Sequence, residues 1–195
     1  MWNDRLKGYN IILASGSPRR KQFFEDMGLD FEIRIKQVEE VYPSSLKGSE
    51  IPDYLAELKA SAFDGSLVHN DILITSDTVV WYKGKSLAKP IDINEACEML
   101  TELSNDWHEV ITSVSFTTIT SQKTVNHTTR VKFKVLTPYE IQYYVKRYKP
   151  FDKAGGYGIQ EWIGLIGIKE IQGSYTNVVG LPTQLVYKTL MNMVS

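Results

Sequence analysis

Apolar residues recur along this chain with two periods, and the period predicts which segments form strands and which form helices. Short apolar runs with β-branched residues, or strict alternation, indicate strands at 11–13, 31–35, 72–75, 79–82, 107–119, 124–136 and 163–171. Apolar residues at three- and four-residue spacing indicate helices at 18–27, 52–63, 93–103, 138–148 and 182–193. Turn-like residues join the strands at 107–119 and 124–136, so we expect a long antiparallel hairpin there.

The start of one helix and the buried face of another can be predicted from individual residues. Thr137 is the expected N-cap of the helix at 138–148, and Glu140 completes a capping box. In the helix at 52–63, the stripe expected to face the core consists of Tyr54, Leu55, Leu58 and Ala62. Lys59 flanks that stripe. A lysine in this position is usually solvated, but along a ligand groove it becomes a phosphate contact.

The segment 11–21 is typical of a strand, a turn of small residues and a helix. Ser17 suits the N-cap of that helix, and Pro18 suits its first turn. A helix N-terminus attracts anions, and Arg19 and Arg20 add two guanidinium groups at the same place. The segment therefore indicates a phosphate or polyphosphate site, with solvated arginines as the alternative. It matches neither a P-loop nor G-x-G-x-x-G.

Carboxylates at two places are candidate metal ligands. Asp77 interrupts the apolar runs at 72–75 and 79–82, and burying an aspartate is costly unless a partner neutralises it. A role in capping a turn is the alternative. Glu39 and Glu40 follow the strand at 31–35, and they are either ligands for a hard cation such as Mg²⁺ or part of a solvated acidic loop.

Two glycine-containing segments, 151–160 and 173–182, are candidate ligand loops. The first combines three glycines with charged residues and an aromatic, so it could close over a ligand or serve as a flexible connection. Gln160 could recognise a base edge, because an amide both donates and accepts hydrogen bonds. Lys89, which precedes a proline in an extended segment, is a further candidate cation.

Composition and charge narrow the class of protein. The 195 residues are enough for one domain, or for one core with two lobes. A net charge of −1 gives no sign of binding to nucleic acid, so any anion site must be local. The single cysteine, Cys97, excludes an internal disulfide. With no signal peptide and no apolar run of membrane-spanning length, we expect a cytoplasmic protein without membrane contacts.

Together these signals fit one kind of ligand. Arg19, Arg20, Lys59 and Lys89 supply positive charge, while Glu40 and Asp77 supply hard oxygen ligands. That combination suits Mg²⁺ with a polyphosphate. The sequence also resembles the Maf family of nucleoside triphosphate pyrophosphatases, from about residue 10 to the end. The motifs that carry the resemblance are ASGSPRR at 14–20, SDTVV at 76–80, KP at 89–90, DKAGGYGIQ at 152–160 and GSYTNVVGLP at 173–182.

The resemblance implies a fold, a reaction and a set of site residues. The implied fold is a single α/β domain over 1–195, elongated and two-lobed, with a twisted mixed sheet, flanking helices and a central cleft, like the inosine triphosphate pyrophosphatases. The implied reaction is hydrolysis of a nucleoside triphosphate between its α- and β-phosphates. The implied roles are catalysis by Asp77, Lys59 and Lys89, substrate binding by Ser15, Arg19, Arg20, Thr78 and Gln160, and metal binding by Glu40 and Asp77.

The resemblance also bears on specificity, metal and assembly. Arg19, Thr78 and Gln160 are similar to the subgroup that acts on dTTP and UTP, rather than the one that prefers 7-methyl-GTP; modified pyrimidine nucleotides stay open as substrates. The implied cofactor is a divalent cation, Mg²⁺ or else Mn²⁺, and a homodimer is a family expectation. The alternative function is a nucleotide-binding regulator of cell division without catalysis.

Overall fold

The structure, a computed structural model, describes residues 2–194 as a succession of helices and strands. Its helices are α1 (Trp2–Arg5), α2 (Pro18–Asp26), α3 (Glu50–Ser61), α4 (Ile93–Leu103), α5 (Pro138–Tyr148), α6 (Trp162–Gly167), α7 (Tyr175–Val179) and α8 (Thr183–Met193). Its strands are β1 (Asn10–Leu13), β2 (Glu32–Ile33), β3 (Asp71–Tyr82), β4 (Lys85–Leu87), β5 (Trp107–Thr117), β6 (Gln122–Phe133) and β7 (Ile168–Gln172).

The strands of the described chain form a mixed sheet in the order β2–β1–β3–β5–β6–β7, and β4 pairs with β3. β1 runs parallel to both of its neighbours, with Leu13 opposite Ile33 on one side and Ile74 on the other. β4 and β7 run antiparallel to β3 and β6. β5 and β6 are adjacent and joined by residues 118–121, a connection short enough to require an antiparallel hairpin. The predicted hairpin and the α/β class with a mixed sheet are confirmed.

The described chain forms two compact units. The first consists of the chain up to Asp77, Thr112–His127 and the chain from Gly180 onward; the second consists of Thr78–Ile111 and Thr128–Val179. The chain passes from the first to the second within β3, so Asp77 and Thr78 belong to different units. The single functional domain over 1–195 stays a prediction.

In the first unit, both faces of β1 and β3 are covered. Ile11 and Ile74 belong to a cluster with Phe24 of α2 and residues of α8, whereas Ile12 and Leu73 pack with Ala60 and Phe63 at α3. A strand buried on both faces needs apolar side chains at successive positions. This explains why these strands appear in the sequence as continuous apolar runs.

The second unit has a core of its own between its part of the sheet and helices α4 and α5. Leu100 of α4, Tyr144 of α5 and Phe133 of β6 are fully buried there. Both helices have the predicted bounds, because their first turns are fixed locally. Asp92 caps α4 by accepting from the Glu95 N–H at 2.9 Å, and the capping box of Thr137 and Glu140 begins α5 as predicted.

Several predicted elements are wrong in part. β3 is continuous through Asp77, so this residue interrupts the apolar pattern but not the strand. Of the strand predicted at 163–171, residues 163–167 lie in α6 instead, and β7 begins only at Ile168. The predicted loop at 173–182 contains α7, and the strand expected at 31–35 is only Glu32–Ile33.

The expected apolar stripe of α3 is right at Leu55 but wrong at Tyr54. Tyr54 is exposed, and the buried residues are Ile51, Pro52, Leu55, Ala56 and Ala60. The helix begins at Glu50 rather than 52, and its small residues lie against the sheet. Small side chains allow the backbone of a helix to approach a sheet closely. Helical periodicity does not show which face of a helix packs in this way.

The buried His108 should make the second unit less stable in acid. Its ring is buried, burial lowers its pKa to about 3, and Nδ1 has no hydrogen-bond partner that could stabilise a charge. Because an unfolded histidine titrates near 6.5, the unfolded chain binds one more proton between pH 6.5 and about 3. His108 therefore lowers the free energy of unfolding by about 1.4 kcal/mol for each pH unit below 6.5.

Replacing His108→Gln should remove that part of the pH dependence. Glutamine stays neutral and can still hydrogen-bond to the Tyr157 hydroxyl, which lies 2.6 Å from His108 Nε2. Urea unfolding at pH 7.5, 6 and 5 should show a shallower loss of stability in the variant than in the wild type. His69→Gln at an exposed position is the control. Equal slopes for His108→Gln and wild type would contradict this account.

Candidate functional site

The turn after β1 is held by side-chain to backbone hydrogen bonds. Ser17 Oγ accepts from the backbone N–H of Arg20 at 3.4 Å and so caps α2, as predicted. Ser15 Oγ accepts from the backbone N–H of Ser17 at 3.2 Å. Pro18 occupies the first turn of α2. The helix N-terminus is therefore preformed, and this is the geometry that favours an anion.

Arg20 ties this turn to two other segments of the first unit. Its Nε donates to the carbonyl of Gly180 at 2.9 Å, and Nη1 donates to the carbonyl of Ser76 at 2.8 Å. Nη1 also lies 3.5 Å from Ser15 Oγ. The Ser76 carbonyl immediately precedes Asp77, so Arg20 fixes the backbone beside that carboxylate while contributing positive charge.

The two arginines and the nearby carboxylates influence one another electrostatically. Burial lowers the pKa of Arg20, and the positive charge of Arg19 adds to that effect, whereas Asp77 and Glu40 raise it. Guanidinium pKa values lie so high that Arg20 remains charged at physiological pH. Arg19, on the first turn of α2, is half-buried. The turn therefore holds two positive charges close together.

Lys59 links the two predicted carboxylates. Its Nζ lies 2.6 Å from Asp77 Oδ1 and 2.9 Å from Glu40 Oε1. The Asp77 side chain is 11% exposed and that of Lys59 is 18% exposed, so solvent screens this pair only weakly. The sequence predicted that a buried Asp77 would need a partner to neutralise it, and the ammonium group of Lys59 is that partner.

Hydrogen bonds between α3 and the sheet place Lys59 opposite Asp77. Thr75 Oγ1 donates to the carbonyl of Ala56 at 2.7 Å. At the start of the helix, Asp53 accepts from Ser113 Oγ at 2.6 Å and from Asn126 Nδ2 at 2.9 Å. These contacts fix the rotation of α3 about its axis and its position along β3.

The donor set fits a divalent cation bound together with a polyphosphate. Glu40 and Asp77 supply carboxylate oxygens that converge on one cationic atom, Lys59 Nζ. Mg²⁺ is commonly held by one or two carboxylates, with water and substrate phosphates completing its ligands. Among residues 2–194, no group of three or more His, Cys, Asp or Glu residues is arranged to hold a metal. A metal at Glu40 and Asp77 would therefore need oxygen ligands from elsewhere, such as phosphates.

The other predicted site residues lie in the second unit. Thr78 follows Asp77 on β3 and is half-buried, whereas Lys89 and Gln160 are exposed. Lys89 follows β4, and the preceding residue, Ala88, accepts a hydrogen bond from the Gly155 N–H at 3.1 Å. The backbone that carries Lys89 is therefore attached to the loop that leads to Gln160.

Around Gln160 the structure shows residues that the sequence motifs did not single out. Glu161 contacts the Tyr144 hydroxyl through Oε2 and Lys153 Nζ through Oε1, the latter at 3.1 Å. Burial and the nearby Glu161 raise the pKa of Tyr144, so its hydroxyl remains a donor. In the sequence, the only sign of this contact was that the acidic Glu161 directly follows Gln160. Its partner Tyr144 lies 17 positions earlier on α5, so the sequence did not reveal the pairing.

These features define an α/β protein with a helix N-terminus whose geometry favours an anion and a carboxylate pair joined by Lys59. The Maf-like protein family model matches residues 10–193. The chain belongs to the Maf family. It is 57% identical to the dTTP/UTP pyrophosphatase of Flavobacterium psychrophilum over 98% of each chain, and 55% and 56% identical to the proteins of that name from Flavobacterium johnsoniae and Christiangramia forsetii over the full length of both.

A solved structure supports the fold independently. The Ham1 protein of Staphylococcus aureus superposes with a TM-score of 0.55 at 16% sequence identity, covering 94% of this chain and 99% of its own. At this identity the likeness concerns the fold alone. In the described part of the chain, none of the helices has the length and apolarity needed to cross a bilayer.

Gly16 gives a test of whether the turn after β1 binds an anion. Its φ is not positive, and a Cβ built there would meet only Ile35 Cδ1, at an ordinary 3.7 Å. The fold therefore does not require glycine at this exposed position, whereas close approach of a ligand to the backbone would. Gly16→Ala should change the free energy of unfolding by less than about 0.5 kcal/mol and weaken binding of inorganic triphosphate.

Gly65→Ala is the matched control, with the opposite expectation. Gly65 has a φ of +71°, so alanine is strained there although nothing lies within 4 Å. This variant should lose about 1 kcal/mol of stability and bind triphosphate normally. Chemical denaturation and calorimetric titration measure the two effects. Unchanged triphosphate affinity in Gly16→Ala would show that ligands do not approach this backbone closely.

Proposed function

We propose that this protein is a nucleoside triphosphate pyrophosphatase that hydrolyses dTTP and UTP to the monophosphate and pyrophosphate. The observation that carries the proposal is the Lys59 ammonium between the carboxylates of Glu40 and Asp77, with Arg20 bound to the carbonyl that precedes Asp77. The curated relatives that are 55–57% identical over nearly their full lengths carry the name dTTP/UTP pyrophosphatase, which supports the same substrates for this chain.

In the proposed reaction a water oxygen attacks the α-phosphorus, and the bond from that phosphorus to the bridging oxygen of the β-phosphate breaks. The Asp77 carboxylate accepts a proton from the water as the new phosphorus–oxygen bond forms. The electron pair of the broken bond leaves with pyrophosphate. Positive charge from Lys59 and Lys89 offsets the negative charge that develops on this leaving group.

Substrate binding is assigned to the turn after β1. Ser15 and the N-terminal turn of α2 offer polar groups to the triphosphate, and Arg19 and Arg20 add guanidinium groups. The hydrogen bonds of Arg20 to the carbonyls of Gly180 and Ser76 indicate that it also orders the turn. Arg19 is assigned to the triphosphate because it lies beside Arg20 on the first turn of α2 and is half-buried there.

Base selection is assigned to Thr78 and Gln160. A hydroxyl and an amide can each donate and accept hydrogen bonds, so they can match the carbonyl and N–H groups of uracil and thymine. Arg19 is the third residue linked to base preference by family resemblance. A pyrophosphate-release assay with dTTP, UTP, CTP, 7-methyl-GTP and modified pyrimidine triphosphates tests this assignment. Tight binding without release from any of them would favour a non-catalytic regulator instead.

Glu40 and Asp77 would hold the divalent cation, Mg²⁺ or Mn²⁺. When bound, such an ion neutralises phosphate charge and polarises the phosphorus–oxygen bonds. We further propose that the whole chain acts as one domain, since one family model matches residues 10–193, and that the protein works in the cytoplasm. Homodimer formation is proposed only from family resemblance, and gel filtration with light scattering tests it.

Asp77→Asn tests the proposed proton acceptor. The amide keeps the shape of the carboxylate and can accept from Lys59 Nζ, which also remains paired with Glu40, so the fold should persist. Without a carboxylate to accept the proton, kcat for dTTP should fall by about 10²–10⁴-fold. Pyrophosphate release and circular dichroism measure the two effects. Wild-type turnover in this variant would refute the assignment.

Glu40→Gln tests the proposed cation site. Loss of one carboxylate from a pair should raise the Mg²⁺ concentration needed for half-maximal activity, by about tenfold or more. Saturating Mg²⁺ should restore much of the rate, because Asp77 is intact. Glu25→Gln, which alters an exposed ion pair with Lys21 on α2, is the control. An unchanged Mg²⁺ requirement in Glu40→Gln would exclude Glu40 as a ligand.

A further inference from the structure

The loop at 152–161 ends in a turn whose two ends are held by the same phenol oxygen. The Glu161 N–H donates to the Gly158 carbonyl at 3.0 Å, which closes a four-residue turn with Ile159 and Gln160 at its centre. The Gly158 N–H donates to Tyr144 Oη at 3.0 Å, and Tyr144 Oη donates to Glu161 Oε2. The two central residues therefore lie between two attachments to α5.

One of the two central side chains of the turn points into the core and the other points to the surface. Ile159 is buried in the core of the second unit, whereas Gln160 is exposed. The backbone of α6 reinforces this arrangement, because a Cβ at Gly164 would lie only 1.8 Å from the Ile159 carbonyl oxygen. Burial of Ile159 on one side and contact with Gly164 on the other leave the turn little freedom to rotate.

Glu161 has an unusual role for its position. It is the N-cap residue of α6, yet its side chain makes no capping hydrogen bond. The carboxylate is directed instead to Tyr144 and to Lys153, whose side chain is only 10% exposed. Lys153 Nζ also contacts Asp152 Oδ1 at 2.7 Å, but the Asp152 side chain is 60% exposed. Glu161 is thus the better shielded partner of a buried ammonium group.

Side chains of the same network surround Gln160. A Cβ at Gly158 would lie 2.9 Å from Glu161 Cδ, 3.0 Å from Lys153 Cε and 3.1 Å from Gln160 Nε2. The Gln160 amide therefore lies against the glycine that Glu161 and Lys153 also contact. A change in the Glu161–Lys153 pair would alter the surface against which Gln160 rests.

We propose that Glu161 is a positioning residue for base selection: together with Tyr144 and Lys153 it fixes the turn that presents Gln160 to the pyrimidine. The inference rests on the proposed function, in which Gln160 reads the base. Glu161 itself touches no substrate. Glu161 acts by keeping the Gln160 amide in one orientation. Loss of the Glu161 carboxylate should therefore affect recognition of the base more than turnover.

Glu161→Gln is the first test. The change preserves size but removes the charge that pairs with Lys153, so the turn should loosen. We expect KM for dTTP to rise about tenfold with kcat within about twofold of wild type, the order expected from losing a charge-assisted contact. The preference for dTTP over CTP should fall by a similar factor. Glu102→Gln, which breaks the exposed pair with Lys85 in the same unit, should change neither value.

A double-mutant cycle separates positioning from a general structural effect. In a Gln160→Ala background, Glu161→Gln should cause no further loss of preference, because the group it positions is gone. A structural defect would instead lower kcat for all nucleotides and add to the effect of Gln160→Ala. Additive effects, or unchanged preference in the single variant, would overturn the proposal.

Tyr144→Phe provides a second variant in case Glu161→Gln does not fold. It removes the hydroxyl that binds both ends of the turn but keeps the Lys153–Glu161 pair. It should raise KM for dTTP and lower the preference over CTP, with kcat retained; normal preference in a folded Tyr144→Phe protein would overturn the proposal. Calorimetric binding of dTTP and CTP gives the same comparison without turnover. A wild-type protein that neither binds nor cleaves nucleotides would refute the proposed function, and this inference with it.

Discussion

The ammonium group of Lys59 between Glu40 and Asp77 is the interaction on which the first unit's site depends. A carboxylate in the middle of a buried strand is costly, and a partner at 2.6 Å offsets that cost. The pairing works only if α3 lies at one position along β3, which the hydrogen bonds of Thr75 and Asp53 provide. The same cation that stabilises Asp77 brings Glu40 to it, so folding assembles the carboxylate pair.

Both units use a polar side chain to fix backbone near a predicted ligand contact. In the first, Arg20 holds the carbonyls of Ser76 and Gly180. In the second, Tyr144 holds both ends of the turn around Gln160. Such hydrogen bonds supply the rigidity that recognition requires, and around Gln160 the burial of Ile159 adds to it. Tyr144 is expected to position the site without touching the substrate, whereas Arg20 is expected to do both.

Sequence patterns predicted elements well where the determinants are local. α4 and α5 have the predicted bounds because Asp92 and Thr137 cap them within one turn. The prediction failed at 163–167, where an apolar, glycine-containing run does not distinguish a strand from a short helix. In the structure, Gly164 of this helix lies against the Ile159 carbonyl. For α3 the helix itself was predicted, but part of its buried face was missed, because helical spacing does not show that Ala56 and Ala60 are the small residues that are buried.

By itself, the sequence determined that a capped helix with two arginines in its first turn follows β1, that a carboxylate interrupts an apolar run and that family motifs run through the chain. These depend on residue type and short spacing, which sequence records directly. Tertiary structure alone decided that Lys59 joins Glu40 to Asp77, that Arg20 binds backbone carbonyls and that Glu161 pairs with Lys153 and Tyr144. Those pairings join groups on different segments, and packing rather than local propensity sets their distances.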